Sequence, residues 1–160
     1  MNPRHPLIVA SLAQTAQAAS HGNFSLGLGL GAHELERTAF GTSWPNVVQR
    51  LLEQLTVLRS VFDTGAVDFH GGEYTANPEW PVKVAGGTPV PVYVAARGPK
   101  ALAVTGELAY GTVPFLAGPH TIVEFIEPTI ARAAAESGPP ETPDHPRRSG
   151  AGVRRRRRRA

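Results

Sequence analysis

At 160 residues the chain has the length of about one domain, and its 41% hydrophobic content can supply a core. It has no cysteine, which excludes disulfides, thiol catalysis and Cys-ligated zinc and suits a reducing cytoplasm, the expected location. The formal net charge of +3 is unevenly divided: eight arginines lie between Arg147 and Arg159, while the preceding chain sets eight basic residues against thirteen acids, a net −5.

Arg4, the apolar run Leu7 to Ala13 and Ala16-Gln17-Ala18 imitate a secretory leader. The apolar run is short, however, and Pro6, the alanines and the stop at His21-Gly22 make Leu7–Ser20 a better helix. Phe24–Gly31 then alternates, with Phe24, Leu26, Leu28 and Leu30 on one face and Ser25, Gly27, Gly29 and Gly31 on the other. Period two predicts a strand, and a bare glycine face suits close approach by a backbone or ligand. The next segment, with His33, Glu34 and Glu36, reads as a loop.

Thr42 or Ser43 would cap a helix with Pro45 in its first turn. Trp44, Val47, Val48, Leu51, Leu55, Leu58 and Phe62 follow at helical spacing, so Trp44 is expected in the core. Val67-Asp68-Phe69 and Glu73-Tyr74-Thr75 around His70-Gly71-Gly72 predict a small hairpin, either a lid over a pocket or a surface excursion. Val90–Ala95 is a second strand that passes through Ala96-Arg97-Gly98 into a helix, Pro99–Leu108. That helix start presents free N–H groups and a positive dipole end to an anion, flanked by Arg97 and Lys100. Thr112–Leu116 is a third short strand. Gly118-Pro119-His120 opens a last helix that Pro128 should kink or split and Gly138 should stop.

No stretch reaches the ~20 apolar residues of a membrane span, and no membrane partner is expected. The six histidines show no H-x-H or H-x-x-x-H pairing, so no metal site is expected. No Ser-His-Asp set, Walker loop or dinucleotide fingerprint is present. From Pro139 onward prolines and arginines leave nothing to bury, which predicts two parts: a folded body over residues 1–138 and a disordered tail over 139–160. The arginine run would bind polyanions by charge alone. It lacks the interleaved aromatics of a base-stacking surface, and no specific nucleic-acid partner is expected.

Strands alternating with helices imply right-handed parallel βαβ units, an α/β fold. Four stretches go further: Arg4-His5-Pro6-Leu7, Phe24–Gly31, Val92–Leu102 with its Ala96-Arg97-Gly98-Pro99 turn, and Gly106–Val113. In that order they resemble the luciferase-like monooxygenase superfamily, and within it the branch of deazaflavin (coenzyme F-420)-dependent oxidoreductases. The resemblance implies a TIM barrel with its site at the C-terminal ends of the strands. This chain would supply three parallel strands, the fourth to sixth, ordered sequentially, with helices mainly on one side. It implies hydride transfer between coenzyme F-420, or alternatively FMN, and a small organic substrate. An FMN-dependent monooxygenase and an inactive barrel fragment are the competing readings. Gly31 and Ala32 would approach the cofactor ring, and Ala95, Ala96, Arg97 and Gly98 would line its phosphate turn. Arg97 departs from the apolar residue expected there. No general acid or base stands out, so no catalytic residue is named. A whole barrel takes about 250 residues. The expectation is therefore a truncated reading frame with Met1 an internal start and the arginine tail read out of frame. Open sheet edges would invite self-association.

Overall fold

A computed structural model describes residues 4–31, 33–41 and 45–137. Helix α1 (Pro6–Ala19) starts as its sequence dictates, with Pro6 in the first turn and His5 as its N-cap. The His5 ring accepts from the Leu7 N–H at 3.3 Å, and its Nε2 reaches the Thr75 carbonyl at 2.9 Å. One neutral ring with its proton on Nε2 satisfies both. Strand β1 (Leu26–Gly29) follows.

Residues 33–40 then form a helix, α2 (His33–Phe40), where the sequence reading expected a loop. Its eight residues offer only Leu35, Ala39 and Phe40 as apolar positions, too short a pattern to announce it. Local bonds support it instead: Arg37 pairs with Glu34 at 3.0 Å, and the Thr38 hydroxyl donates to the Glu34 carbonyl.

Helix α3 (Val47–Thr64) begins later than expected. The proposed caps Thr42 and Ser43, and the core assignment of Trp44, lie outside the described residues. Pro45 precedes the helix rather than opening it, because Asn46 holds the non-helical N-cap conformation. Gly65 closes α3 at φ 76°, a left-handed position that glycine takes without strain.

The expected hairpin forms from β2 (Phe69–His70) and β3 (Thr75–Ala76), with Phe69 opposite Ala76 and His70 opposite Thr75. The chain returns through β4 (Val92–Ala95), α4 (Pro99–Leu108) and β5 (Gly111–Thr112). The third strand is shorter than the Thr112–Leu116 expected. The Val113 N–H still reaches the Val94 carbonyl at 3.0 Å. Pro114 has no N–H to extend the ladder, and Leu116 turns to φ 53°.

The last helix is split, as Pro128 requires. A short α5 (Pro119–Thr121) widens into a π turn over Ile122–Ile126, then tightens into α6 (Glu127–Glu136). The Glu127 N–H donates five residues back to the Ile122 carbonyl. Widening the turn relieves the clash between the Pro128 ring and the carbonyl four residues earlier.

Strands β1, β4 and β5 form one parallel sheet in the order β1-β4-β5. Leu26 pairs with Val92, Leu28 with Val94 and Gly29 with Ala95, while Tyr93 lies opposite both Gly27 and Gly111. Period two then sorts the faces. Leu28, Val92 and Val94 bury against the helices together with Leu51, Leu55, Leu58, Leu102 and Ile126. On the other face Gly27 and Gly29 are exposed, and a Cβ added at either would meet nothing within 4 Å. Helix α3 packs against both α1 and α4, and α4 against α6. Helices α4 and α6 approach closely at Gly106, where an added Cβ would lie 2.6 Å from the Ile130 carbonyl oxygen.

The long segment between α3 and β4 is held by buried polar side chains. The Gln14 amide donates to the Val82 carbonyl and accepts from the Val84 N–H. The Gln17 amide donates to the Pro89 carbonyl and accepts from the Phe24 N–H. Glu53, 2% exposed, accepts from the backbone N–H groups of Gly72, Glu73 and Tyr74 at 2.8–2.9 Å and from the Gln49 amide. Around this clasp Arg50 lies 4.4 Å from the Tyr74 ring centroid and 3.6 Å from the Glu73 carboxylate.

Candidate functional site

Strands β1 and β4 pair in register and end side by side, Gly29 opposite Ala95. After β1, Gly31 adopts φ 81°, a conformation that suits glycine. After β4, Ala96 and Arg97 lead to Gly98, the N-cap of α4, and Pro99 opens the helix. The Leu102 N–H returns to the Gly98 carbonyl, so the N–H groups of Lys100 and Ala101 have no partner within the helix.

Between these two ends lies an open cavity of ≈ 440 Å³. Gly29, Leu30 and Gly31 form one wall, Ala95, Arg97 and Gly98 the second, and Phe115 from the loop after β5 the third. The cavity thus brings together four of the residues singled out from sequence: Gly31, Ala95, Arg97 and Gly98. Ala32 lies outside the described residues. Ala96 stands apart from the cavity: its side chain is fully buried in the core, and its N–H donates to the Val94 carbonyl at 3.0 Å. Leu30 and Phe115 were not singled out. The rule that barrel sites gather at the C-terminal ends of strands would have found both.

The electrostatics are simple. Arg97 is the one ionisable side chain that the described residues place on the cavity lining. It is exposed, and no acid among the described residues pairs with it. The site is therefore cationic, with the α4 dipole adding to the same sign. Among the described residues no group of three or more His, Asp or Glu side chains could hold a metal ion. Glu34, on α2, is exposed and faces Arg37. The β2–β3 hairpin contributes nothing to the cavity lining and is clasped by α3.

The profile of the luciferase-like monooxygenase family matches residues 1–159. The chain belongs to that family.

Relatives of this luciferase-like chain share its fold at low identity. A phthiodiolone/phenolphthiodiolone dimycocerosates ketoreductase of Mycobacterium kansasii is 30% identical over 139 residues, covering 84% of this chain and 37% of its own length. An F-420-dependent glucose-6-phosphate dehydrogenase of Beutenbergia cavernae is 28% identical, with 83% and 40% covered. Among solved structures, an F-420-dependent secondary alcohol dehydrogenase in complex with an F-420–acetone adduct superposes with a TM-score of 0.73 at 25% identity, covering 86% of this chain and 42% of that one. The chain therefore spans about two fifths of the length of these proteins. Its three parallel strands and flanking helices are a partial TIM barrel.

In that barrel the glycine face of β1 looks inward. Beyond Gly29 and Ala95 toward the N-terminal ends of the strands sit the Tyr93 and Tyr110 rings, edge to face at 5.3 Å, with Tyr93 against Gly111. Burial, with Tyr110 beside it, pushes the Tyr93 phenol up, so it stays a neutral hydrogen-bonding group at ordinary pH. No helix among the described residues is long and apolar enough to cross a membrane.

Proposed function

We propose that this chain carries the cofactor-phosphate part of an oxidoreductase that uses coenzyme F-420, acting on a small organic molecule. The observation that carries the proposal is the cavity between Gly31 and the Ala95–Gly98 turn, with one unpaired cation and a helix start on its wall. The similarity to F-420-dependent relatives supports the same reading.

The residues fit such a group. Gly29 and Gly31 leave room for a flat ring system beside β1, since nothing lies within 4 Å of a Cβ built at Gly29. Arg97 and the N–H groups of Lys100 and Ala101 would hold a phosphate. A bound deazaflavin would supply the hydride chemistry, exchanging a hydride with a substrate carbon while a proton moves at the substrate oxygen. The chain's own part is binding and orientation. The helix start contributes ~0.3–1 kcal/mol to an exposed anion, and Arg97 adds a salt-sensitive attraction of similar size. Neither fixes a cofactor alone, so the apolar walls at Leu30, Ala95 and Phe115 must supply contact area.

Titration of the purified chain with oxidised F-420, and in parallel with FMN, tests this. Micromolar F-420 binding that weakens about three- to tenfold in Arg97→Ala, with a shallower salt dependence, is the expected result. Preference for FMN would favour the monooxygenase branch. No binding of either would leave an inactive fragment.

A further inference from the structure

The turn that carries Arg97 into α4 is fixed at one backbone oxygen. The Val94 carbonyl, next to the end of β4, accepts from three donors among the described residues. The Ala96 N–H reaches it at 3.0 Å and closes a three-residue turn centred on Ala95. The Val113 N–H reaches it at 3.0 Å from the end of the neighbouring strand. The third donor is a side chain, the Thr112 hydroxyl, at 2.7 Å the shortest of the three.

Thr112 lies opposite Val94 in the parallel ladder. Its hydroxyl adds a donor where that ladder stops, since Pro114 has no N–H to give. A carbonyl offers two lone pairs, so the three donors share them. Without the hydroxyl Val94 keeps two partners, and the fold loses little. What changes is direction. The Val94 carbonyl and the Ala95 N–H belong to one rigid peptide plane. A carbonyl drawn toward Thr112 therefore sets the tilt of that plane. The tilt passes to Ala95 on the cavity wall and, beyond the fully buried Ala96, to Arg97 and Gly98.

We propose that Thr112 is a positioning residue for the anion-binding turn. It is not among the residues that line the cavity. Acting through the Val94 carbonyl, it sets the direction in which Arg97 and the first N–H groups of α4 face the cavity. That the anion belongs to F-420 rests on the reading above; the hold on the turn does not.

The test compares the full-length parent chain with Thr112→Val, which keeps the shape and loses the hydroxyl, and Thr112→Ser, which keeps the hydroxyl. Without ligand, nitrogen–proton NMR reads the turn directly. In Thr112→Val the Ala96 amide should exchange several-fold faster, and the Arg97, Gly98 and Lys100 amide resonances should move. In Thr112→Ser they should stay near the parent's. The unfolding midpoint should change little in either. F-420 affinity, read from its absorbance, should weaken about three- to tenfold in Thr112→Val, the ratio equivalent to one ordinary hydrogen bond, and recover in Thr112→Ser. In an Arg97→Ala background the same Thr112→Val change should cost less, because part of its effect runs through Arg97. Unmoved amides in Thr112→Val, a serine variant that behaves like the valine one, or equal F-420 affinity in Thr112→Val and the parent would each overturn the proposal. If the parent binds no F-420, the cofactor reading fails. The amides then decide on Thr112 alone: moved, its hold on the turn stands; unmoved, it falls as well.

Discussion

Replacing Glu53 by glutamine should be among the most damaging conservative substitutions in this chain. Its carboxylate accepts four hydrogen bonds: Oε1 from Gly72 N–H and Gln49 at 2.9 Å, Oε2 from Glu73 and Tyr74 N–H at 2.8 and 2.9 Å. An amide keeps one acceptor oxygen and turns an NH2 toward donors. If Oε1 survives, the Glu73 and Tyr74 N–H groups lose their partner. Each bond to a charged group contributes about 1.5–3 kcal/mol, so losing two costs about 3 kcal/mol after partial relaxation. Urea unfolding followed by far-UV circular dichroism would show this as a lower midpoint at constant m-value. The pH dependence follows from the same geometry. Burial pushes the Glu53 carboxyl up, but the bonds from Gln49 and from the Glu73, Tyr74 and Gly72 N–H groups outweigh it and leave it below the ordinary value of 4.5. A depressed carboxyl contributes stability that is present above the unfolded value and is lost as pH falls through the folded one. The parent protein should therefore lose stability more steeply below about pH 4.5 than Glu53→Gln, which has no such proton to take up. A Glu53→Gln variant that loses under about 1 kcal/mol at neutral pH, or keeps the parent's acid slope, would refute the role of the clasp.

Tyr74→Phe should change stability by no more than about 1 kcal/mol, because the buried Tyr74 hydroxyl makes no hydrogen bond of good geometry and has the Arg50 guanidinium beside it; thermal unfolding checks it. Gly106→Ala should cost about 1–3 kcal/mol in the same measurement, since the new methyl meets the Ile130 carbonyl and the Ala133 side chain and must push α6 away from α4. Gly31→Ala should cost about 1–2 kcal/mol through its positive φ. It should also weaken F-420 binding, a loss that Arg97→Ala would share without the loss of stability.

Much of the sheet was legible because its signals are local. Alternating Leu and Gly marked β1, and Ala96–Pro99 marked the passage from β4 into α4. Order and spacing then placed three parallel strands in sequence. Other features depended on partners distant in the chain. Helix α3 buries a second stripe, Arg50, Glu53, Gln54, Val57 and Val61, whose polar members pass for a solvent face in sequence. Only the return of Gly71–Tyr74 to that stripe makes Glu53 a core residue. Helix α2 was missed because it is only eight residues long and mostly polar, with Leu35, Ala39 and Phe40 as its only apolar positions. Phe115 was read as part of the strand Thr112–Leu116, whereas Pro114 ends the ladder and leaves Phe115 at the cavity. Of the site, the backbone turn was legible and the apolar wall was not.

The Gln17 amide has an effect far from where it sits. It grips the chain just before β1 at Phe24 and just before β4 at Pro89. It thereby acts as a gauge block between two strands that could otherwise slide past one another. A slip of one residue would invert every side chain along β1. Leu28 would then point inward and Gly29 toward the helices, and the space beside Gly31 would fill with leucine. One buried amide on the far side of the sheet thus joins the ladder and the core in holding the register that turns the glycine face toward the cavity.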